Sequence, residues 1–298
     1  MTETVVSPAV PVSMHKRHRP LMVLFTAAWG QGRTKVGVGI VAVLVAVALI
    51  GPFLAPHSST AFIGIPLSNA SGALGTDNLG RDVLSRFLWG GRSVLGLAAA
   101  ATAIGVVLGV TVGLLAAYAR NWFDELLMRA MDVLLAFPQI VLALVAVATV
   151  GPKLWLLVFA VGITTAPRVA RVSRGAAVEI VERDFVRAAE ALGEKRWKIL
   201  LGEVLPNITS PLMVETSLRL TFSVGVIAGL SFLGFGLQPP AADWGLMINE
   251  NRGGLLQGAP WGVALPVIAI GLLTIGTSLI GDGLARAGIG IERGRGGE

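Results

Sequence analysis

The chain has 298 residues, of which 54% are hydrophobic and 14% are charged, and its formal net charge is +6. Soluble domains carry about 25% charged residues, so the composition excludes an ordinary soluble domain, and its hydrophobicity excludes disorder. The chain has no cysteine, which excludes a disulfide framework, a cysteine-ligated zinc site and a thiol nucleophile.

The first predicted element is a polar, basic tail at residues 1–35, followed by a charge-free run at 36–55. A run of about 20 apolar residues can cross a bilayer, and this one begins too far from the N-terminus to be a signal-peptide core. We therefore predict a signal anchor that stays in the membrane. A polar loop at 56–92, rich in turn residues, follows it.

Five further apolar runs lie within residues 93–285. They cover 93–119, 133–150, 154–167, 220–237 and 261–281. Pro138 predicts a kink in the second of these five, because proline removes a backbone hydrogen bond, and Pro167 ends the third. A charged segment at 172–207 separates the third from the fourth, and residues 286–298 form a C-terminal tail. The sequence therefore predicts an all-α membrane protein with six transmembrane helices.

Most of the 24 Lys and Arg residues fall in the two tails, in a turn at 120–129 and in the region 168–198. These four places lie on one side of a six-span arrangement. Because cytoplasmic loops carry an excess of Lys and Arg, we predict that both termini are cytoplasmic. The basic residues 15–19 then serve as a topology signal, and no nucleic-acid partner is expected.

Small residues recur at four-residue intervals, at Gly105, Gly109 and Gly113 and again at Gly225 and Gly229. This spacing lines one helix face and allows a second backbone to approach closely. Packing inside the chain is the simpler interpretation, and a face that slides against a neighbour is the alternative.

The charged segment contains one short apolar stripe. Its members, at i, i+3, i+4 and i+7, are Phe185, Ala188, Ala189 and Leu192. The stripe predicts a helix that ends at Gly193, followed by a second helical piece at 197–201 and a stop at Pro206. A stripe centred on two alanines suits a helix that docks into a partner's groove or one that rests on the membrane, and the periodicity leaves both open.

This segment resembles the EAA loop of bacterial ABC-importer permeases. The matching positions are Ala188, Ala189, Gly193, Leu205 and Pro206, with thirteen residues from the glycine to the proline. In that family the loop is the coupling helix, which docks into a cleft of the ATP-hydrolysing subunit. The family's leading glutamate falls at Arg187, and an acid stands instead at Glu190.

Four other segments are similar to permeases for dipeptides, oligopeptides and nickel. They are FLAP at 53–56, LGTDNLGRDVLSR at 74–86, RAMDVLLAFPQ at 129–139 and LSFLGFGLQ at 230–238. The resemblance covers roughly residues 30–285 and implies a C-type subunit with the type I importer architecture, in the bacterial cell membrane. It implies four kinds of partner: membrane lipid, a homologous B-type permease, two cytoplasmic ATPases that hold ATP and Mg, and an extracytoplasmic solute-binding protein.

The resemblance also implies roles for individual residues. Coupling to the ATPase is expected of Phe185, Ala188, Ala189, Glu190, Leu192, Gly193, Leu205 and Pro206. Docking of the binding protein, or an outer gate, is expected of Asp77, Arg81, Asp82 and Arg86. The alternative for these four is a solvated loop with internal ion pairs.

Three charged residues at or inside the apolar runs are candidates for the path or its gate, because intramembrane charges are costly. Asp132 is one of them, and its alternative role is a local i,i+3 ion pair with Arg129. Glu215 and Arg219 are the others, and their i,i+4 spacing also allows a structural ion pair.

The sequence has no G-x-x-x-x-G-K-[ST] phosphate loop, so ATP is expected on another polypeptide. No catalytic residue or metal site is predicted, and no cofactor is expected on this chain. The prediction is a peptide importer permease, not an enzyme. Nickel or another small solute is the alternative cargo. An ion-coupled secondary transporter is the alternative of another class, although it would need buried acids and inverted repeats.

Overall fold

The computed structural model describes residues 20–119 and 121–295. The α-helices in this part of the chain are α1 (Pro20–Trp29), α2 (Gly32–Leu54), α3 (Val83–Ala119), α4 (Trp122–Leu135), α5 (Gln139–Val150), α6 (Leu154–Val181), α7 (Asp184–Ala191), α8 (Arg196–Ile199), α9 (Leu205–Asn207), α10 (Thr209–Phe232), α11 (Trp244–Asn251) and α12 (Trp261–Arg295). A π turn joins α8 to α9, and a 3-10 helix follows α11. The same residues contain two isolated β-bridges and no strand.

Five helices, α2, α3, α6, α10 and α12, are long and apolar enough to cross a membrane. The bent pair α4 and α5 makes a sixth span if it is counted as one, which confirms the predicted all-α membrane class. The two helices of this pair meet at 80°, so the bend expected at Pro138 is present, and it is a break between two helices and not a kink within one. The turn predicted at 120–129 is helical from Trp122 onwards.

Helices extend beyond several predicted runs. α3 begins at Val83, α6 continues through Pro167 to Val181, and α12 reaches Arg295. The segment 172–207 therefore starts inside a helix. The described parts of the two expected tails, residues 20–35 and 286–295, are almost entirely helical, and residues 1–19 and 296–298 lie outside the described residues. Hydropathy marks the part of a helix that faces lipid, whereas backbone hydrogen bonding continues past it.

Arg92 explains how α2 accommodates Pro52 near its end. Because proline has no N–H, the carbonyl of Ala48 lacks its intrahelical donor. The Nε of Arg92 donates to that carbonyl at 2.9 Å, and its Nη2 donates to the Leu49 carbonyl at 2.8 Å. The same guanidinium lies 5.6 Å from the centre of the Phe53 ring. This contact from α3 thus completes the broken end of α2.

The most extensive helix pair in the described residues is α3 with α6. Gly105, Gly109 and Gly113 face α6, and a Cβ added at Gly109 would lie 2.5 Å from the Val169 Cβ and 2.6 Å from the Ala166 carbonyl oxygen. The backbones approach too closely for any side chain, so the packing interpretation of this stripe is correct. For the second stripe, Gly225 and Gly229, it is wrong, since a Cβ there would meet no atom within 4 Å.

We expect Gly109→Ala to lower the stability of the protein by about 1–3 kcal/mol, the usual cost of overpacking. The matched control is Gly96→Ala on the same helix, where a Cβ meets nothing within 4 Å, and this variant should be neutral or slightly stabilising. Thermal unfolding in detergent, followed by fluorescence-detected gel filtration, measures both. Equal melting temperatures for the two variants would contradict close packing at Gly109.

The bundle has two ends, named here after the short helices on them. At the α7 end an apolar cluster surrounds Val186, with contributions from Leu114 of α3, Val181 of α6 and Leu212 of α10. At the α11 end Trp244 is fully buried and stacks on Phe87 with ring centres 5.4 Å apart. The indole N–H donates to the Phe87 carbonyl at 2.9 Å, which fixes α11 to α3.

Candidate functional site

α7 ends where the sequence predicts, at Gly193. The backbone φ of Gly193 is +77°, a value that glycine adopts without strain. The N–H of Gly193 donates to the Glu190 carbonyl at 3.0 Å, and that of Glu194 donates to the Ala189 carbonyl at 3.1 Å. These two bonds form a Schellman motif, which closes the helix and sets the direction of the chain towards α8.

The predicted stripe of α7 divides between two faces. Val186, which lies outside the predicted stripe, is fully buried, and Ala189 packs against the same apolar cluster. Phe185, Ala188 and Leu192 point away from the bundle, and the exposed fractions of Phe185 and Leu192 are 44% and 85%. We call these three side chains the α7 surface. Because it is apolar and uncovered by this chain, it is suited to contact another molecule.

The segment after α7 stays helical past the predicted stop. Pro206 lies in α9, directly after the π turn Leu200–Val204. Proline cannot donate to a carbonyl of the preceding turn, and a π turn is one way for a helix to accommodate such a break. Leu205 packs partly against the cluster at the α7 end, whereas Pro206 is exposed.

Tyr118, near the end of α3, holds α7 and α8 in place. Its hydroxyl lies close enough to the Glu190 carboxylate to interact with it. The guanidinium of Arg196 lies 5.7 Å from the centre of the Tyr118 ring. Sequence reasoning missed this residue, although it is the single tyrosine of the chain. Glu190, predicted for coupling, thus contacts its own bundle.

At the α11 end, two guanidiniums and two carboxylates form a buried charge cluster. Asp77 Oδ2 accepts from Arg81 Nε and from Arg86 Nη1, each at 2.6 Å. Glu250 Oε2 lies 3.2 Å from Arg81 Nη2 and 2.8 Å from Arg86 Nη2. Opposite charges balance, and the four side chains are at most 10% exposed. The cluster ties the loop before α3 to α11.

Asp82 has a separate role from the other three predicted loop residues. Its Oδ2 accepts from the backbone N–H of Ser85 at 3.0 Å and from the Ser85 hydroxyl at 2.5 Å, and so caps the start of α3. Asp77, Arg81, Asp82 and Arg86 are all 0–2% exposed. They therefore do not form a surface for another protein, and the solvated loop expected as their alternative is wrong. The internal ion pairs of that alternative are present. An outer-gate role stays a prediction.

Glu250 was not predicted as a site residue, because no local pattern connects α11 with residues 77–86. Burial raises the pKa of its carboxyl to about 7, and the Arg81 guanidinium opposes part of that rise. A neighbouring hydrogen bond also joins the loop before α3 to α11: the backbone N–H of Asn78 donates to the Asn251 side-chain oxygen at 2.9 Å.

Two acidic residues of α4 form ion pairs with arginines of α6. Asp132 lies 2.5 Å from Arg171, and Asp124 lies 2.6 Å from Arg174. The alternative of a local pair between Asp132 and Arg129 is wrong, since Arg129 pairs with Glu125 at 2.5 Å. The i,i+3 rule fails here because α4 runs alongside basic residues of α6.

Glu215 and Arg219 form the i,i+4 ion pair that their spacing allows, at 2.9 Å and largely buried. The Arg219 guanidinium lies 4.9 Å from the centre of the Phe222 ring, and that of Arg168 lies 6.0 Å from it. Of these residues, Arg168 lies at the bend between α4 and α5. A cavity of about 260 Å³ opens at that bend, lined by residues 134–139, Thr164 and Arg168.

A helical bundle with up to six apolar spans in the described residues, and a short helix with an uncovered apolar face at one end, defines a multi-pass membrane protein. Residues 109–287 match the family described as "Binding-protein-dependent transport system inner membrane component", and the chain belongs to it.

Curated relatives match most of the chain. It is 37% identical over 251 residues to the glutathione transport system permease protein GsiD of Pectobacterium atrosepticum, and the matched stretch covers 83% of each of the two chains. It is 35% identical over 258 residues to the dipeptide transport system permease protein DppC of Alkalihalophilus pseudofirmus, covering 85% of this chain and 84% of that one. It is 36% identical over 249 residues to the di/tripeptide permease DppC of Pseudomonas aeruginosa, covering 80% and 82%.

The resemblance inferred from the sequence motifs is thereby confirmed. The protein is a multi-pass permease subunit of an ABC importer in the bacterial inner membrane, and it is not an enzyme. Membership of a binding-protein-dependent family excludes the ion-coupled secondary transporter. The family works with ATPase and other subunits.

Proposed function

We propose that this chain is the C-type permease of an importer for small peptides. The relatives named for dipeptides, di/tripeptides and glutathione support this cargo. Nickel or another small solute is the alternative, and a direct uptake comparison separates the two. When the complex is offered alanylalanine, glutathione and nickel together, it should accumulate at least one of the two peptides. Accumulation of nickel alone would contradict the proposal.

In this proposal the chain forms half of the translocation path and a homologous B-type permease forms the other half. Two ATP-binding subunits hold ATP and Mg, and an extracytoplasmic binding protein delivers the peptide. The observation that carries the proposal is the α7 surface: Phe185, Ala188 and Leu192 are apolar, exposed and held on a short helix fixed at both ends. Such a face suits a groove in an ATPase.

The proposal gives roles to the charged groups described above. The ion pair between Asp132 and Arg171 would be part of the inner gate, since it joins α4 to α6 close to the bend. The pair Glu215 and Arg219 would border the path. The buried charge cluster would be the frame of an outer gate, because it fixes the loop before α3 to α11.

The first experiment is to tag this chain, extract it in mild detergent and identify by mass spectrometry what co-purifies. A second permease and ATPases with a phosphate loop are expected. Recovery of the chain alone, folded and able to move solute into liposomes without ATP, would overturn the proposal.

We further propose that the α7 end and both termini are cytoplasmic, because the α7 end carries most of the cations. Since the chain has no cysteine, single-cysteine variants report one position each. Glu125→Cys near the α7 end should react with an impermeant maleimide in inside-out vesicles and not in intact spheroplasts. Leu256→Cys, at a site that is 94% exposed near the α11 end, should show the opposite pattern. The reverse labelling would contradict the orientation.

A further inference from the structure

Arg168 is an uncompensated charge inside a membrane-spanning helix. It lies in the middle of α6, is exposed in this chain and forms no ion pair with any described residue. The basic residues that follow it on α6, Arg171 and Arg174, are both paired with acids of α4. Arg168 directly follows the apolar run 154–167, and a guanidinium at the border of that run avoids lipid and faces protein, water or a ligand.

The surroundings of Arg168 carry a net positive charge. Arg219 is neutralised by Glu215 at 2.9 Å, and both arginines lie against the Phe222 ring. Arg168 is near enough to Arg219 to interact with it electrostatically. The one carboxylate in this group is paired with Arg219, so the charge of Arg168 is left without an anion.

The cavity beside Arg168 is suited to receive that anion. Its wall includes Gln139, the first residue of the twelve-residue helix α5, whose first backbone N–H groups attract negative charge. Its volume, about 260 Å³, is below the roughly 300–1,000 Å³ of pockets that enclose a whole ligand. It therefore fits one end of a small peptide.

We propose that Arg168 binds a carboxylate of the peptide in this cavity as the peptide crosses the membrane. A guanidinium is the side chain that matches a carboxylate with two parallel hydrogen bonds. The inference rests on the proposed peptide cargo. It adds a specificity contact in this chain to the selection made by the binding protein.

The test uses the complete transporter in proteoliposomes, with alanylalanine-loaded binding protein and ATP. Arg168→Gln should slow peptide uptake at least about tenfold, as expected for loss of a charged hydrogen bond. ATP hydrolysis stimulated by the loaded binding protein should stay within about twofold, because docking and coupling are untouched. Arg168→Lys should keep more uptake than Arg168→Gln, and Arg168→Glu should keep less, since it repels a carboxylate. The matched control is Arg129→Gln, which removes an exposed guanidinium on α4.

Three results would overturn the inference. One is uptake by Arg168→Gln equal to that of Arg129→Gln. Another is loss of the partner permease from purified Arg168→Gln, which makes Arg168 an assembly contact. The third is uptake by Arg168→Glu equal to or above that of Arg168→Gln. Failure of the unmodified complex to accumulate any peptide would instead contradict the proposed function.

Discussion

Replacing Ala188 by aspartate should lower uptake to about one hundredth or less, because it places an unpaired charge in an apolar interface at a cost of about 3–5 kcal/mol. Ala188 is exposed on α7 and contacts no core residue of its own chain, so the variant should insert and fold normally. Uptake by the reconstituted complex, together with the amount of chain in the membrane, measures the effect. Co-purification of the ATPases should fall in parallel.

The control is Ala188→Ser, which keeps the side chain small and neutral and should retain uptake within about twofold. Ala189→Asp and Gly193→Asp should also abolish uptake, but they are less clean tests. Ala189 packs against the bundle, and Gly193 needs a positive φ that aspartate tolerates less well. Full uptake by Ala188→Asp, with normal expression, would show that the α7 surface does not transmit the motion of the ATPases.

The second large effect is expected at the buried charge cluster. Asp77→Asn leaves two buried guanidiniums against one carboxylate and should destabilise the protein by about 3–5 kcal/mol. The matched control is Glu125→Gln, which removes one partner of an exposed pair and should change stability by about 0.5 kcal/mol or less. Thermal unfolding in detergent and protease sensitivity of residues 55–82 measure both variants.

A double variant separates charge balance from hydrogen bonding. Asp77→Asn combined with Arg81→Met restores one guanidinium to one carboxylate, so it should be more stable than Asp77→Asn alone. If all these variants unfolded at the same temperature as the unmodified protein, the cluster would not hold the loop to α11.

Local signals in the sequence predicted local structure well. The apolar runs predicted five spans and the bent pair that makes a sixth if it is counted as one, and Gly193 predicted the end of α7, because a helix stop depends on neighbours along the chain. Motif spacing gave the family. Tertiary partners could not be read in this way. For Asp132 the spacing allowed a partner on its own helix, Arg129, as one alternative, and the residue pairs with Arg171 of α6. Glu250 joins the buried charge cluster from a distant segment, and nothing in its local sequence indicates that contact.

Helix breaks were predicted unevenly for a related reason. Pro138 and Pro167 are equally visible in the sequence, yet the first separates two helices and the second lies inside one. α6 packs along α3 on both sides of Pro167, and this packing outweighs the missing hydrogen bond. α4 has no buried residue among its fourteen, so little holds it in line with α5.

α5 is too short to cross a bilayer by itself. Its 12 residues span about 18 Å, against a hydrocarbon core of about 30 Å, and α4 leaves it at 80°. The Pro138 carbonyl accepts from the Leu142 N–H at 3.2 Å. The backbone carbonyls just before it, at residues 136–137, would find no hydrogen-bond donor in lipid, so this part of the chain requires water or protein around it. A copy without protein or water around this bend is thus poorly suited to the bilayer. Copies that lack the second permease proposed above should therefore be removed from the membrane faster than assembled copies.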